Sequence, residues 1–368
     1  MLKYRVFTIN PGSTSTKAAL FAGEERIFSI NVEHDAEVLK KFPDFSDQLD
    51  YRMETILGAL EEKGISLQGT DAFVGRGGGL FSMEGGVYAL DPLILDHSIH
   101  GANGIRHPAQ LGPTLAQRMI ERFGGQGFVV NPPDVDEYAE VARITGIQGI
   151  YRTSHIHALN QKETAIRHAK AIGKRYEDCN LIVAHIGGGI SVAAHQKGRM
   201  IDSNDNVGGE GPMTPTRCGA IPADPMIRLC CSGRYSEKEL LAKCQKTGGF
   251  MDLLGTSDAQ AVDERAANGD RMAQLCWDAM IYQIEKYIGS MAAVLHGKVD
   301  GILLGGGIVH SKDLVDKISE ACGWIAPVTA YPGEFEMEAM AAGAIRALTG
   351  EEAVRHYTGV PAWNGIER

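Results

Sequence analysis

Apolar and polar positions alternate along residues 4–10 and again along 15–22, and this period of two predicts two β-strands joined by a short polar turn. The same arrangement returns at 181–194, where three glycines interrupt an apolar run. Further strands are predicted at 71–75, 127–130 and 299–304, and helices at 47–63, 109–123, 155–173, 270–296 and 334–348. Strands that alternate with helices in this way indicate an α/β protein.

The chain is long enough for two domains, since 368 residues can form two cores of ordinary size. Because a helix precedes the second hairpin, the expected domains are 1–150 and 151–334, with a helix in 335–368 packing back on the first domain. The amphipathic helix at 270–296 is expected to bury one apolar face, formed by Leu275, Ile281, Ile284, Ile288 and Met291.

The repeated hairpin is the most informative feature of the chain. Glycine in a tight turn lets the backbone come close to a phosphate, and successive N–H groups can form an anion-binding nest. Two such turns, about half the chain apart, predict two related domains that face one polyphosphate, and therefore a phosphotransferase. The small residues of the two turns are Gly12, Ser13 and Ser15 in the first and Gly187, Gly188 and Gly189 in the second.

Two other phosphate-binding loops fit the sequence less well. A dinucleotide-binding loop needs a helix directly after its glycines and an acidic residue for the ribose, whereas the segments after both turns here have the pattern of strands. A P-loop needs a glycine-lysine-serine/threonine triplet, which the sequence lacks. A plain hairpin remains the alternative for either turn alone, and the repetition counts against it.

Composition narrows the class of protein. A net charge of −10 with no basic run argues against a nucleic-acid-binding protein. Seven cysteines at irregular spacings do not indicate a disulfide framework or a zinc site. The N-terminus is expected to enter a strand directly, without a signal peptide, and no apolar run approaches the ~20 residues of a membrane span. We therefore expect a cytoplasmic protein that binds neither nucleic acid nor membrane.

Five motifs stand in order along the chain: Asn10-x-Gly12-Ser13-x-Ser15-x-Lys17, Thr153-Ser154-His155, His185-Ile-Gly-x-Gly, Thr216-Arg217-Cys218-Gly219 and Gly305-Gly306-Gly307. Together they resemble the motifs of the acetate and butyrate kinase family, nearly from end to end. This resemblance implies an actin-like fold, with two ribonuclease-H-like domains and an ATP cleft between them. The shorter chain, the glycines at 75–79 and the three glycines at 187–189 look more like the butyrate kinase branch.

The reaction that the resemblance implies converts a carboxylate and ATP into an acyl phosphate and ADP. A carboxylate is already a nucleophile, so catalysis needs in-line positioning and stabilisation of charge on the phosphoryl group rather than a general base. Guanidinium groups suit this task, and Arg76 and Arg217 match family arginines that hold the substrate and the transition state. An ordinary surface salt bridge is the alternative for each. His185 matches a family histidine that donates to a phosphoryl oxygen, a buried core histidine being the alternative. His155 is expected either to orient its loop or to serve structure alone.

The resemblance also implies a Mg²⁺ site and a nucleotide site. Glu336 matches a family glutamate beside the metal, and Asn10 can orient a metal-bound water or a phosphate oxygen. Asn131 stands where the family has a second acid, so either Asp134 or Asp136 replaces it or water holds the metal. Lys17 is expected to face the β- or γ-phosphate, an exposed lysine being the alternative. Gly305, Gly306 and Gly307 are expected at the adenosine.

Butyrate is the expected acyl substrate, with acetate, propionate or a branched short-chain acid as alternatives. One methylene group is worth only ~1–3 kcal/mol, so residue types do not decide among these acids. A non-catalytic ATP-binding scaffold is the alternative from another class. By resemblance, a homodimer or higher oligomer is expected.

Overall fold

The structure is a computed structural model of the chain and describes residues 4–366. Its strands are β1 Arg5–Pro11, β2 Ser15–Ala22, β3 Glu25–Glu33, β4 Ala72–Gly75, β5 Val87–Ala89, β6 Gln126–Val130, β7 Asn180–Ile186, β8 Ile190–Gln196, β9 Arg199–Ser203, β10 Gly301–Gly306, β11 Val328–Pro332 and β12 Val354–Arg355. Its α-helices are α1 Ala36–Leu39, α2 Leu49–Glu62, α3 Pro92–His100, α4 Leu111–Phe123, α5 Glu140–Arg143, α6 Ala158–Ala171, α7 Ala223–Cys230, α8 Glu237–Gln245, α9 Phe250–Leu254, α10 Ala259–Ala267, α11 Arg271–Val294, α12 Lys312–Cys322 and α13 Glu336–Thr349. Short 3-10 helices lie at Phe45–Gln48, Pro108–Gln110, Tyr176–Asp178 and Gly307–His310.

The first structural unit runs to Asp136 and takes up the chain again from Phe335. Its sheet has the strand order β12-β5-β6-β4-β1-β2-β3 in the described part of the chain. The antiparallel β1–β2 hairpin lies beside β4, which is parallel to β1, so the ends of β1 and β4 reach the same edge. Helices α2 and α4 cover one face through a core that includes Phe7, Phe73 and Leu115.

The second unit comprises Glu137–Glu334. Its sheet has the order β11-β10-β7-β8-β9 within the residues described, with β7 and β8 antiparallel and β10 parallel to β7. Alternate side chains of β7 enter different cores. Ile182 and Ala184 pack in the cluster that contains α11, whereas Leu181 and Val183 pack in the cluster that contains α6. The strand is therefore buried on both faces, which explains its continuous apolar run.

The domain bounds 1–150 and 151–334, with 335–368 returning, stay a prediction, and the described contacts place residues 137–150 with the second unit. The Tyr138 hydroxyl donates to the Ser203 carbonyl oxygen at 3.1 Å, and the Ala139 N–H donates to the Ile201 carbonyl oxygen at 2.8 Å. The buried ion pair of Glu137 with Lys162 holds the same segment, with 2.9 Å between the charged atoms.

The long helix predicted at 270–296 is confirmed as α11, and one residue of its expected buried face is wrong. Ile281, Ile284, Ile288 and Met291 are buried, but Leu275 is 60% exposed. The buried face instead begins at Ala273, Cys276 and Trp277. Leu275 lies two residues from Trp277, roughly 200° around the helix, so the two side chains point in opposite directions.

No helix among residues 4–366 is long and apolar enough to cross a membrane.

Candidate active site

The first predicted phosphate turn closes the β1–β2 hairpin. Asn10 lies opposite Lys17 in the strand register, and the Gly12 N–H donates to the Ser15 carbonyl oxygen at 2.7 Å. Ser13 is exposed at the tip of the turn, and Lys17 is exposed on β2. The turn therefore presents small residues and hydroxyl groups to solvent, as a phosphate-binding turn requires.

Three predicted site residues from separate parts of the chain meet at one edge of the first sheet. The Asn10 side-chain amide, near the end of β1, donates to Glu336 Oε2 at 2.8 Å. Arg76, directly after β4, places its Nε 3.8 Å from Glu336 Oε1, and its side chain is only 11% exposed. Glu336 itself lies in the first turn of α13. The fold thus brings a carboxylate, an amide and a guanidinium together.

The loop after β6 uses its polar side chains to hold its own conformation. Asn131 has a φ of 39°, and its side-chain oxygen accepts from the Gly86 N–H at 2.8 Å. Asp134 Oδ1 accepts from the Leu80 N–H at 3.2 Å and from the Asn103 amide at 2.9 Å. These bonds give both residues an orienting role within the loop.

His107 begins a 3-10 helix, where its Nδ1 accepts from the Ala109 N–H at 3.1 Å. Burial lowers the pKa of His107, and the positive charges of Arg76 and Arg52 lower it further. His107 is therefore a neutral side chain in the electrostatic field of two arginines.

The second predicted phosphate turn joins β7 to β8. His185 lies opposite Ser191, and the Gly187 N–H donates to the Gly189 carbonyl oxygen at 3.0 Å. The Gly188 carbonyl oxygen accepts from the Thr214 hydroxyl at 2.8 Å and from that of Thr216 at 3.3 Å. The loop that carries Arg217 is therefore fastened to the turn.

Arg217 lies against the third glycine of this turn. Its Nη1 donates to Asn206 Oδ1, and a Cβ atom at Gly189 would overlap both of these atoms. The Nε of Arg217 is buried and has no hydrogen-bond partner among the described residues. Burial lowers the pKa of Arg217, and the nearby Asp205 charge offsets part of this change. The guanidinium thus keeps donor capacity that the described protein groups do not use.

A second histidine, which sequence reasoning did not select, lies beneath His185. The rings of His157 and His185 stack with centroids 4.0 Å apart and planes 22° apart. Because Arg217 donates to the Asn206 oxygen, the Asn206 nitrogen faces His157 Nε2, at 3.4 Å. This arrangement assigns the His157 proton to Nδ1, which lies 2.8 Å from Ser191 Oγ. The signal in the sequence was the second histidine two residues after His155.

His155 orients the loop that follows β9. Its Nδ1 lies 3.0 Å from Asp205 Oδ2, and Asp205 Oδ1 accepts from the N–H groups of Val207 and Gly208 at 2.8 and 2.7 Å. Burial would raise the pKa of Asp205, but the hydrogen bonds from His155 and from these N–H groups lower it overall. The role expected for His155 within its own loop stays a prediction, and the contact described here joins it to Asp205 in the loop after β9.

The glycines at 305–307 lie where β10 ends. Gly305 is opposite His185 in the parallel register. Gly306 has a φ of 101°, and a Cβ atom there would overlap the Ile186 carbonyl oxygen. A cavity of about 740 Å³ begins at Gly307 and Ile308, and α10 forms another of its walls. This volume falls in the range of small-molecule sites.

Comparison with known proteins defines the class and then the family. The structure superimposes on the crystal structure of Porphyromonas gingivalis acetate kinase with a TM-score of 0.75 and 19% identity, covering 94% of this chain and 100% of that one. A propionate kinase from Francisella tularensis superimposes with a TM-score of 0.72 and 18% identity, covering 92% of this chain and 98% of that one. The fold is therefore that of the actin-like ATPases.

The family follows from sequence similarity. The chain is 44% identical over 356 residues to "Butyrate kinase 2" of Clostridium acetobutylicum, covering 97% of this chain and 100% of the relative. The profile of the acetokinase family matches residues 96–322. The chain belongs to the acetokinase family, whose members are ATP-dependent carboxylate kinases.

Proposed function

We propose that the protein phosphorylates butyrate with ATP, giving butanoyl phosphate and ADP in a reversible reaction. The 44% identity to a butyrate kinase over nearly the whole chain supports this acyl chain length. The observation that carries the chemistry is Arg217, a half-buried guanidinium with a buried N–H that no described residue accepts. Such a donor is suited to a phosphoryl oxygen.

In this reaction a carboxylate oxygen forms a bond to the γ-phosphorus while the bond from that phosphorus to the ADP oxygen breaks. No proton has to be removed from the nucleophile, so the protein acts by positioning and electrostatics. Arg217 would donate to oxygens of the transferring group, and His185 would donate to another of them. Arg76 would hold the carboxylate or a phosphoryl oxygen bidentately, because its guanidinium is a planar fork. Glu336 lies beside it, with Oε1 3.8 Å from the Arg76 Nε.

The turns would bind the polyphosphate. Ser13, Ser15 and Lys17 would contact phosphate oxygens on the first unit, and the Gly187–Gly189 turn would do so on the second. The cavity beside Gly307 supports a site there for the adenosine, to which Gly305 and Gly306 would allow a close approach. These roles rest on the family resemblance and on the geometry of each turn.

We further propose that Glu336 and Asn10 hold Mg²⁺. Among residues 4–366 no three His, Cys, Asp or Glu side chains are arranged around one metal position, and Mg²⁺ needs only one or two protein ligands because it keeps its waters. The Glu336 carboxylate and the Asn10 amide oxygen fit that requirement. Asp134 would contribute through water, since its Oδ1 already accepts two hydrogen bonds. When bound, the ion would neutralise charge on the phosphates.

The test is formation of acyl hydroxamate with Mg-ATP and a series of acids: acetate, propionate, butyrate, isobutyrate and valerate. We expect the highest kcat/KM with butyrate, and a loss of at least 100-fold in Arg217→Ala. Arg228→Ala is the matched control, because Arg228 is exposed on α7 and pairs with Asp224. If turnover is highest with another acid, that acid replaces butyrate as the proposed substrate. If no acid gives a product while ATP still raises Tm, the kinase proposal is wrong and the protein is an ATP-binding scaffold.

A cytoplasmic location and a homo-oligomeric state complete the proposal. All seven cysteines are free thiols, which suits a reducing compartment. The oligomer is carried over from the family resemblance alone.

A further inference from the structure

Arg52 lies directly beneath the first phosphate turn. It projects from α2 and is fully buried, at 0% exposure. Its Nη1 donates to Thr16 Oγ1 at 3.0 Å and to the Ser15 carbonyl oxygen at 3.4 Å, and its Nη2 donates to the Ser13 carbonyl oxygen at 3.3 Å. The guanidinium therefore contacts Ser13, Ser15 and Thr16 of the hairpin from the inside.

This buried cation has no acidic partner among the residues that the structure describes. Its remaining hydrogen bonds, from Nε at 3.0 Å and Nη2 at 2.9 Å, both go to Gln48 Oε1, a neutral amide oxygen. Desolvation lowers the pKa of Arg52 to about 10, so the side chain stays charged near neutral pH. By contrast, the buried Lys162 is paired with Glu137. A buried charge without a counter-ion is energetically costly.

The neighbours of Arg52 do not neutralise it. His34 shares the Thr16 hydroxyl, with its Nε2 2.8 Å from that oxygen. Burial lowers the pKa of His34 to about 4, and the Arg52 charge contributes to the change. The charge of Arg52 also contributes to the lowered pKa of His107. The positive charge of Arg52 thus acts on the groups around the turn, and no acidic side chain among residues 4–366 pairs with it.

The contact with the Ser13 carbonyl also orients the turn. In a trans peptide the C=O and the following N–H point in opposite directions, so holding the Ser13 oxygen inward turns the Thr14 N–H outward. Ser13 and Thr14 are exposed, and within residues 4–366 neither backbone N–H has a hydrogen-bond acceptor. An outward N–H group above a buried positive charge is suited to binding an anion.

We propose that Arg52 is a positioning residue whose unpaired charge is balanced by a phosphoryl group bound at the Ser13–Thr14 tip of the first hairpin. The assignment of the anion as a phosphoryl group of ATP or of the acyl phosphate rests on the proposed function. Arg52 does not touch this group. It orients the Thr14 N–H, which does, and it supplies positive charge behind that group.

Gln48→Glu separates the charge of Arg52 from its structural role. A glutamate can accept the same two hydrogen bonds from Arg52 while neutralising its charge, so the turn keeps its support. A purely structural role predicts unchanged or improved function in Gln48→Glu. The proposal predicts binding of ATP and of inorganic phosphate about tenfold weaker, the order expected for one added charge near a partly buried anion. The matched control is Gln68→Glu, the same change at an exposed position.

The experiment measures Kd for ATP, ADP and inorganic phosphate by calorimetry, together with Tm, kcat and KM. We expect Gln48→Glu to bind ATP and phosphate more weakly than the wild type, with no loss of Tm. We expect Arg52→Lys to bind both ligands more tightly than Arg52→Met. If Arg52→Met does not fold, Gln48→Glu and Arg52→Lys carry the test. Wild-type affinity for ATP and phosphate in Gln48→Glu overturns the proposal.

The two proposals fail separately. If the wild-type protein phosphorylates no acid but Gln48→Glu still weakens phosphate binding, the anion site stands and the proposed kinase reaction fails. If the wild-type protein is active and Gln48→Glu matches it in affinity and turnover, only the role of Arg52 fails.

Discussion

His157 and His185 stack face to face, with 4.0 Å between their ring centroids. His185 lies on β7, two residues before Gly187 of the second predicted phosphate turn, whereas His157 is linked through the Asn206 amide to Arg217. One imidazole thus supports two groups that we propose to act on the phosphoryl oxygens. Because both contacts go through His157, its removal should affect the reaction without removing any group that touches the substrate.

We expect His157→Ala to lower kcat about 10- to 100-fold with little change in the KM for the carboxylate, because misplacement of positioned groups affects the transition state most. His157→Phe keeps a ring for stacking but loses the hydrogen bonds, so its kcat should fall between those of wild type and His157→Ala. Steady-state hydroxamate kinetics measure both, with the exposed His100→Ala as control. Wild-type kcat in His157→Ala would contradict this supporting role.

The second turn offers a matched pair of glycines. A Cβ atom at Gly189 would overlap the Arg217 guanidinium, whereas a Cβ at Gly188 would have no atom within 4 Å. We expect Gly189→Ala to lower kcat/KM about 100-fold, because the guanidinium must move. Gly188→Ala should stay close to wild type. Equal activity of the two variants would show that the position of Arg217 is unimportant for turnover.

Two glutamates in the first turn of α13 separate metal binding from general helix effects. Glu336 contacts Asn10 and Arg76, whereas Glu338 pairs with Arg26. If Glu336 binds Mg²⁺, Glu336→Gln should raise the Mg²⁺ concentration for half-maximal activity about tenfold or more. Glu338→Gln is the control and should leave it unchanged. A Mg²⁺ titration at saturating ATP and butyrate measures this, and an unchanged midpoint in Glu336→Gln would remove that residue from the metal site.

His34 makes stability depend on pH. Its pKa is about 4 in the folded chain against an ordinary value of 6.5, so between these values the unfolded chain binds more protons than the folded chain. The free energy of unfolding therefore decreases as pH falls from about 6.5 to about 4, by up to about 3 kcal/mol from this group. Urea unfolding at pH 4.5 and 7.5 should show a smaller difference in His34→Asn than in wild type.

The control for that measurement is the exposed His356→Asn, which should keep the wild-type pH dependence. Other buried histidines, such as His195, contribute in the same direction. The wild type and His34→Asn are therefore both expected to lose stability at low pH, and the test is whether the variant loses less. An identical pH dependence in His34→Asn and wild type would contradict the prediction.

Much of the fold was predictable because its signals are local. The alternation on both sides of Gly12 and of Gly187 predicted the two hairpins, and the structure confirms them as β1–β2 and β7–β8. The actin-like fold and the family were also confirmed. The error at Leu275 arose because an apolar residue near helical spacing was assigned to the buried face, whereas the packing of Trp277 decides which face that is.

The site residues remain predictions about function, and the structure adds contacts that residue types did not reveal. Asn131 was noted as a departure from the family pattern, but only the structure shows its amide holding the Gly86 N–H. Arg52 had no motif around it, and its importance comes from its burial and from the neutral character of its partners.

By itself, the sequence determined the periodic elements, the two glycine turns, the family and a set of candidate residues, because hydrophobic periodicity and turn chemistry act over a few neighbouring residues. Only the tertiary structure decided that Glu336 meets Asn10, that His157 lies under His185 and that Arg52 lies beneath the Ser13 turn. These contacts join residues far apart in the chain. They depend on which helix face packs on which strand, and that packing is settled by the whole core rather than by any local pattern.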